Sequence, residues 1–494
     1  MTKKNNFITL LTLYFILGVG SLFAQVLTLD EAVETALANN DKIKQYRARV
    51  EQKEYENLAA WGNFLPQVTL DGSFTHLNDP LNIDLGGFKD VIVGLQAANG
   101  VEISNIYSIL QTGVPLSDQQ KLALKGQIAT TYNNLIPSFN LSLKEQDYYT
   151  ASFTGVMPLF YGGKLIAAKK YASLEEDAAN IELVSTQNEI ISEVAKTYLG
   201  VLLLNDVVKL RENVLATIEE HKSQAQKLFD EGVIPKYDLM RAEVAYAEAS
   251  RKLSEDKDNL DLAKTALKSV MGVDFNNEYL LNDSLHNPTS YEDLQFYFDY
   301  ASANQPIFKL LEVKQKSADQ KYNVQLSNFL PKIGAFGKYE LYPEYLSALE
   351  PRWAVGIKAS FNIFNGFKDY LNLQAASKLE DEVNYITDKT KKDITLYIRK
   401  LYKSLENADR RFVTLANDIK LAGENLRLAE RRFNTGMGTV LEVTDARTSL
   451  EAAMIERAQA KYEYYTNLNQ MYLICGTPAD IVNKWNLIGD KIDE

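Results

Sequence analysis

A mainly α-helical fold with a membrane β-barrel, written twice along one chain, is what this sequence predicts. Three observations carry the prediction. Motifs recur at fixed offsets, four short segments alternate apolar and polar residues, and coiled-coil periodicity runs through long stretches without proline.

The duplication comes first. Phe64-Leu65-Pro66 recurs as Phe329-Leu330-Pro331, and Asn40-Asp41 matches Gln305-Pro306 at the same offset of 265 residues. Leu159-Phe160-Tyr161-Gly162 matches Ile363-Phe364-Asn365-Gly366 at an offset of 204. Phe229-Asp230-Glu231-Gly232 matches Phe433-Asn434-Thr435-Gly436, again at 204. The first repeat is placed at 25–285, the second at 286–475, and a C-terminal tail at 476–494. The offset falls by 61, so the first repeat carries about that many extra residues between its two strands. They are placed at 78–146. Gly86-Gly87, Gly100, Pro115 and Pro137 and the lack of a sustained period predict a long loop with short helical pieces.

The remaining elements follow in order. Lys3 and Lys4, an apolar run from Phe7 to Val19 and the ending Ser21-Leu22-Phe23-Ala24 form the pattern of a secretory signal peptide, predicted at 1–24. A membrane anchor is the alternative, but the run is short for a span. A helix is predicted from Leu29 to Gly62 and again from Leu294 to Asn328. Thr28 and Glu31 form a capping box at the first start. Strands are predicted at 67–77, 148–158, 332–342 and 352–363. In the first, Val68, Leu70, Gly72 and Phe74 alternate with Gln67, Thr69, Asp71 and Ser73. Such alternation turns one side to an apolar medium and the other to water. A very long helix follows the second strand of each repeat. Ile394, Ile398, Leu401, Leu405, Ala408, Phe412, Leu415 and Ile419 step by four and three, as in a coiled-coil seam. The first repeat has the same seam, with Thr197 and Arg211 as exceptions. Tips at 230–236 and 434–439 reverse the chain into returning helices.

Composition limits the function. Of 494 residues, 46% are apolar and 24% charged, which excludes a disordered polar chain. The net charge of -12 disfavours nucleic acid as a partner. One cysteine, Cys475, and three separated histidines, His76, His221 and His286, form no disulfide framework and no metal-ligand spacing. No nucleophile–base or paired-acid motif appears, so neither an enzyme nor a cofactor is expected. Cys475 reads as a small buried hydrophobe and His76 as a rim residue. Met437 has no neighbouring methionine in sequence, so a thioether metal path is not expected. Tyr148, Tyr149, Tyr161, Tyr339 and Tyr342 at strand ends fit aromatic girdles at the membrane surfaces, with ordinary strand composition as the alternative.

Four amphipathic strands cannot close a barrel. An open edge in lipid leaves backbone groups unpaired at several kcal/mol each. Several copies must share one sheet: two would give eight strands, and three would give 12 with room for a pore.

The duplicated layout, the Phe-Leu-Pro before each first strand, Leu-Phe-Tyr-Gly-Gly after the second, and Phe-Asn-Thr-Gly-Met-Gly-Thr-Val-Leu-Glu-Val at 433–443 resemble the TolC family of outer-membrane efflux proteins. The resemblance covers about 26–475 apart from the insertion. It implies a homotrimer with a 12-stranded β-barrel in outer-membrane lipid, continued by a long α-helical coiled-coil barrel across the periplasm of a Gram-negative bacterium. It implies a passive exit duct for an inner-membrane transporter, here expected to be of RND type, joined by a periplasmic adaptor (membrane fusion protein). The insertion 78–146 is then outside the cell.

The resemblance also implies site residues. Acids at Glu442 and Asp445, with Asp238 as the counterpart of Glu442, would ring the periplasmic mouth; Arg241 replaces the counterpart of Asp445. A solvated helix start is the plainer alternative. The family's tyrosine–arginine lock is replaced by Phe433 and Gly438, so a lock of that chemistry is not expected. Gly232, Val233 and Ile234 at one tip, and Gly436 and Met437 at the other, are the expected adaptor-docking surface. The alternatives are the duct of a type I protein secretion system and a periplasmic coiled-coil scaffold without a pore.

Overall fold

The computed structural model describes residues 25–489 apart from 136–139, 282, 347–349 and 436. The expected signal peptide at 1–24, Gly436 and the end of the tail at 490–494 lie outside the described residues.

The first repeat runs β1 (Gln25–Val26), α1 (Leu29–Asn39), α2 (Asp41–Gly62), β2 (Gln67–His76), β3 (Leu81–Asp84), α3 (Leu85–Thr112), α4 (Asp118–Leu135), β4 (Asn140–Lys144), β5 (Asp147–Tyr161), α5 (Lys164–Asp230), α6 (Lys236–Met271) and β6 (Tyr279–Leu280). The second runs α7 (Leu294–Asn304), α8 (Pro306–Leu326), β7 (Lys332–Glu340), β8 (Trp353–Ser360), α9 (Lys368–Asn434), α10 (Val440–Cys475) and α11 (Ala479–Gly489). The chain forms two units. One holds residues 58–169 and 323–373, the other 1–57, 170–322 and 374–494.

In the strand unit, the order is β2-β5-β7-β8, every neighbouring pair antiparallel. The register gathers the four alternations onto one face. Leu70 lies opposite Phe153, Phe153 opposite Tyr339, and Tyr339 opposite Trp353. Val68, Gly155, Gly337 and Val355 form the next row. The apolar face is exposed in the single chain: Val355 is 73% accessible and Ile357 71%. The opposite face carries Asp71, Ser73, Thr154, Lys338 and Lys358. Within this sheet, β2 and β8 each pair on one edge only.

The recurring motifs touch one another at the base of this sheet. Gly162, after β5, turns with φ +60, and a Cβ there would stand 2.6 Å from Ser327 O and 2.8 Å from Leu330 Cβ. Its counterpart Gly366 has φ +57 and nothing within 4 Å. The counterparts of Ser327 and Leu330 are Gly62 and Leu65, and Leu65 is 61% exposed. One contact of the duplicated pair is made, and the other is left open.

The insertion is corrected. The expected loop is a β3–β4 antiparallel pair carrying a helical hairpin of 28 and 18 residues. No single period was visible because α3 is apolar on more than one side.

In the helical unit, α5 and α9 are each 67 residues long. Their seams are buried: Val194 and Leu405 are inaccessible, and Val201 and Ile398 nearly so. Each expected first helix is two helices. The backbone breaks at Asn40, whose side chain accepts from Lys42 N at 2.9 Å and donates to Val270 O at 2.7 Å. It breaks again at Gln305, before Pro306, a residue that disfavours helix in its predecessor. Gln305 donates to Ile474 O at 2.8 Å. The core around the seams is rich in tyrosine. Tyr198, Tyr297, Tyr464 and Tyr465 are fully buried. Tyr198 donates to Asp283 at 2.6 Å and Tyr465 to Asn287 O at 2.9 Å, offsetting the cost of burying a hydroxyl. Tyrosine therefore builds this core as well as the strand ends. Within the C-terminal tail, α11 inserts Ile481, Val482 and Trp485 into the core, and the Trp485 ring meets Tyr465 edge-on at 5.1 Å. Cys475 is inaccessible, and burial pushes its thiol up to about 12. No described helix is long and apolar enough to cross a membrane.

Candidate functional site at the hairpin tips

Both hairpin tips belong to the helical unit. The first turns at Gly232, with φ +72 and its N–H donating to Phe229 O at 2.9 Å. Pro235 then caps α6, its fixed φ of −75 suiting a helix start. Ile234 packs with Phe229, Val440 and the buried Ala225, Leu239 and Ala242. Val233 is 59% exposed. At the second tip, Thr439 caps α10 by accepting from Glu442 N at 3.3 Å. Gly438 is required by space: a Cβ there would stand 2.9 Å from Phe433 N. An arginine at this position would therefore shift the tip backbone. Met437 is 73% exposed. Val440 touches the clusters of both tips, so the two hairpins are joined at their ends.

The expected mouth residues fall into different settings. Phe433 is buried among Ala429, Val443 and Ala446 and holds the second tip together. Asp238 is half-buried in the first turn of α6. Glu442 is exposed and paired with Arg432 Nε at 3.3 Å. Asp445 is exposed one turn further on. Arg241 lies over the Tyr237 ring at 5.5 Å and donates to its hydroxyl at 3.0 Å, so its charge stays on its own helix.

Sequence reasoning missed a polar brace behind the tips. Arg447 of α10 is 8% exposed and donates to Glu430 of α9 and, at 3.0 Å, to Nε2 of His221 of α5. Burial first, then the neighbouring Arg447 charge, holds the His221 pKa below its ordinary value. A second brace lies further along α5. Arg211 donates to Asp256 of α6 at 2.8 Å and to Glu451 of α10. The one available signal was Arg211 itself, a charge in an apolar seam. Thr197, the other exception, donates to Glu193 O at 2.9 Å and so satisfies its hydroxyl locally. A cavity of about 50 Å³ lies beside the first brace, bordered by His221, Phe433, Val443, Arg447 and Glu451. Among the described residues no group of three His, Cys, Asp or Glu could hold a metal ion.

Known proteins share this architecture. The crystal structure of VceC from Vibrio cholerae is similar with a TM-score of 0.68 at 16% identity, covering 91% of this chain and 96% of that one. The Campylobacter jejuni CmeC outer membrane channel matches at 0.68 and 15%, covering 91% and 85%. The open-state MtrE outer membrane channel of Neisseria gonorrhoeae matches at 0.65 and 16%, covering 91% and 89%. In sequence, the alkaline protease secretion protein AprF of Pseudomonas aeruginosa is 22% identical over 290 residues, which is 57% of this chain and 60% of AprF. The aligned part thus spans less than two thirds of that relative. The model of the outer membrane efflux protein family matches residues 32–273 and 298–477, nearly the whole of both repeats. The chain belongs to the outer membrane efflux protein family, and its place is the outer membrane.

Proposed function

We propose that three copies form the outer-membrane channel of a tripartite efflux pump, a passive duct for substrates delivered from the inner membrane. The observation that carries this reading is the open four-stranded sheet with one continuous apolar face. Such a face suits lipid, and its two unpaired edges suit a closed ring.

The duplication supplies the register of that ring. Shifting the observed β5–β7 pairing by the repeat offsets puts β8 of one copy beside β2 of the next. Phe153 opposite Tyr339 becomes Ile357 opposite Phe74. Thr154 opposite Lys338 becomes Lys358 opposite Ser73. Apolar then meets apolar and polar meets polar all along the seam. The open space at Gly366 would take Leu65 of the next copy, as Gly162 takes Leu330.

In this assembly Asp238, Glu442 and Asp445 ring the periplasmic mouth and draw in cations. Val233, Ile234 and Met437, with Gly232, form the surface for a periplasmic adaptor, and the adaptor links the channel to an RND-type transporter. The chain performs no catalysis in this reading. A type I protein secretion duct is the second reading, favoured by the similarity to a protein named for alkaline protease secretion. A photo-crosslinking residue at Ile234 or Met437, used in living cells, tests the docking. Capture of an adaptor supports it, and the transporter recovered with it separates efflux from secretion. A correctly located channel that captures no adaptor at either position would refute it.

A further inference from the structure

The insertion hairpin presents an apolar side that nothing among the described residues covers. Val93, Ala97 and Val101 of α3 are buried on the side that meets α4. Gly100 lies there too, and a Cβ on it would stand 2.8 Å from Ile128 of α4. On the other side Val91, Leu95, Ile106 and Leu110 are 54–76% exposed and fall on one stripe at helical spacing. Gln127, Thr130, Thr131 and Asn134 make the middle of the exposed side of α4 polar, with Leu122 and Leu135 exposed near its two ends. The hairpin is thus amphipathic as a unit, with α3 its apolar side. A helix apolar on two opposite sides is a helix with two partners, and among the described residues only α4 packs along α3.

Two observations decide the missing partner. Lipid is disfavoured, because Glu102 sits within the stripe. The root of the insertion then points to another copy. The insertion leaves β2, an edge strand, and in the three-copy ring β2 lies at the seam with the next chain. Three identical hairpins therefore rise from three seams around one axis. Each has an apolar side to bury and a polar side for water.

We propose that the α3 sides of three copies pack against one another, forming a six-helix cover over the extracellular mouth. This rests on the three-copy ring proposed above. The full-length protein, with a photo-crosslinking residue at Leu95 or Ile106, is irradiated in cells and then extracted. A matched variant at Thr130 on α4 is the control. Native mass spectrometry of the unirradiated protein reports the number of copies separately. Covalent dimers and trimers of this chain from the α3 positions, at least tenfold above the Thr130 control, are expected. A trimer by mass whose α3 positions capture only lipid or a different protein overturns the cover and leaves the ring standing. A protein that is not trimeric overturns both.

Discussion

His221 and Arg447 approach to 3.0 Å across the two halves of the duplicated chain, one on α5 and the other on α10. Arginine can only donate, so Nε2 of His221 accepts and the ring is neutral. Protonation would place two cations in a largely buried site against the single carboxylate of Glu430, 3.5 Å from His221 Nε2. The folded pKa lies below the unfolded one, so the unfolded chain takes up the proton first. The stabilisation is present above roughly pH 6.5 and is lost as the pH falls through the window below it. Thermal unfolding of the detergent-solubilised protein should therefore show a lower Tm at pH 5 than at pH 7.5. His221→Gln should flatten that difference, and an unchanged pH dependence would count against the brace.

Arg211 should be costly to remove alone. Its partners Asp256 and Glu451 have side chains only 18% and 11% exposed. Arg211→Leu restores the seam residue of the other repeat, Leu415, but leaves two carboxylates without their cation. A loss of about 3 kcal/mol is expected. Adding Asp256→Asn and Glu451→Gln should recover most of it, as read by denaturant unfolding.

Adjacent glycines should respond differently. Gly163 has φ +81 and open space, so Gly163→Ala should cost only the backbone term of about 1 kcal/mol. Gly162→Ala adds a clash with Ser327 O at 2.6 Å and should cost at least about 2 kcal/mol more. Phe367, the counterpart of Gly163, holds φ +61 as a non-glycine residue, and Phe367→Gly should relieve its backbone strain. The dissociation temperature of the assembly reports all three.

If Glu442 and Asp445 line the mouth as proposed, Glu442→Gln with Asp445→Asn should lower cation selectivity severalfold in planar bilayers. Arg432→Gln should raise it, by freeing the Glu442 carboxylate. Equal reversal potentials for all variants would remove these residues from the mouth.

The duplicated, mainly helical fold was legible in the sequence because its signals are local and repeated. The steps of four and three from Ile394 to Ile419 mark a buried seam. The alternation from Val68 to Phe74 marks a sheet with one apolar face. The helical hairpin of the insertion was illegible for the opposite reason: with Val93 on one side and Leu95 on the other, no single period survives. The breaks at Asn40 and Gln305 depend on side chains reaching Val270 and Ile474, contacts more than 150 residues distant in sequence. Arg447, Glu430 and His221 carry no motif, and only folding brings them together. Phe433 was readable as a departure from a lock, but its burial under the tip was not.

The most direct measurement concerns the seam between copies. Lys358→Cys with Ser73→Cys places the two thiols directly opposite each other across the proposed β8–β2 pairing, within disulfide reach. The native thiol of Cys475 is buried and does not compete. Oxidation of the folded protein in outer membranes should give a ladder of covalent dimers and trimers on a non-reducing gel. Lys358→Cys with Asp71→Cys, a diagonal pair, should give much less. Folded, correctly located protein that stays monomeric after oxidation, or that cross-links better through the diagonal pair, would contradict the ring and its register.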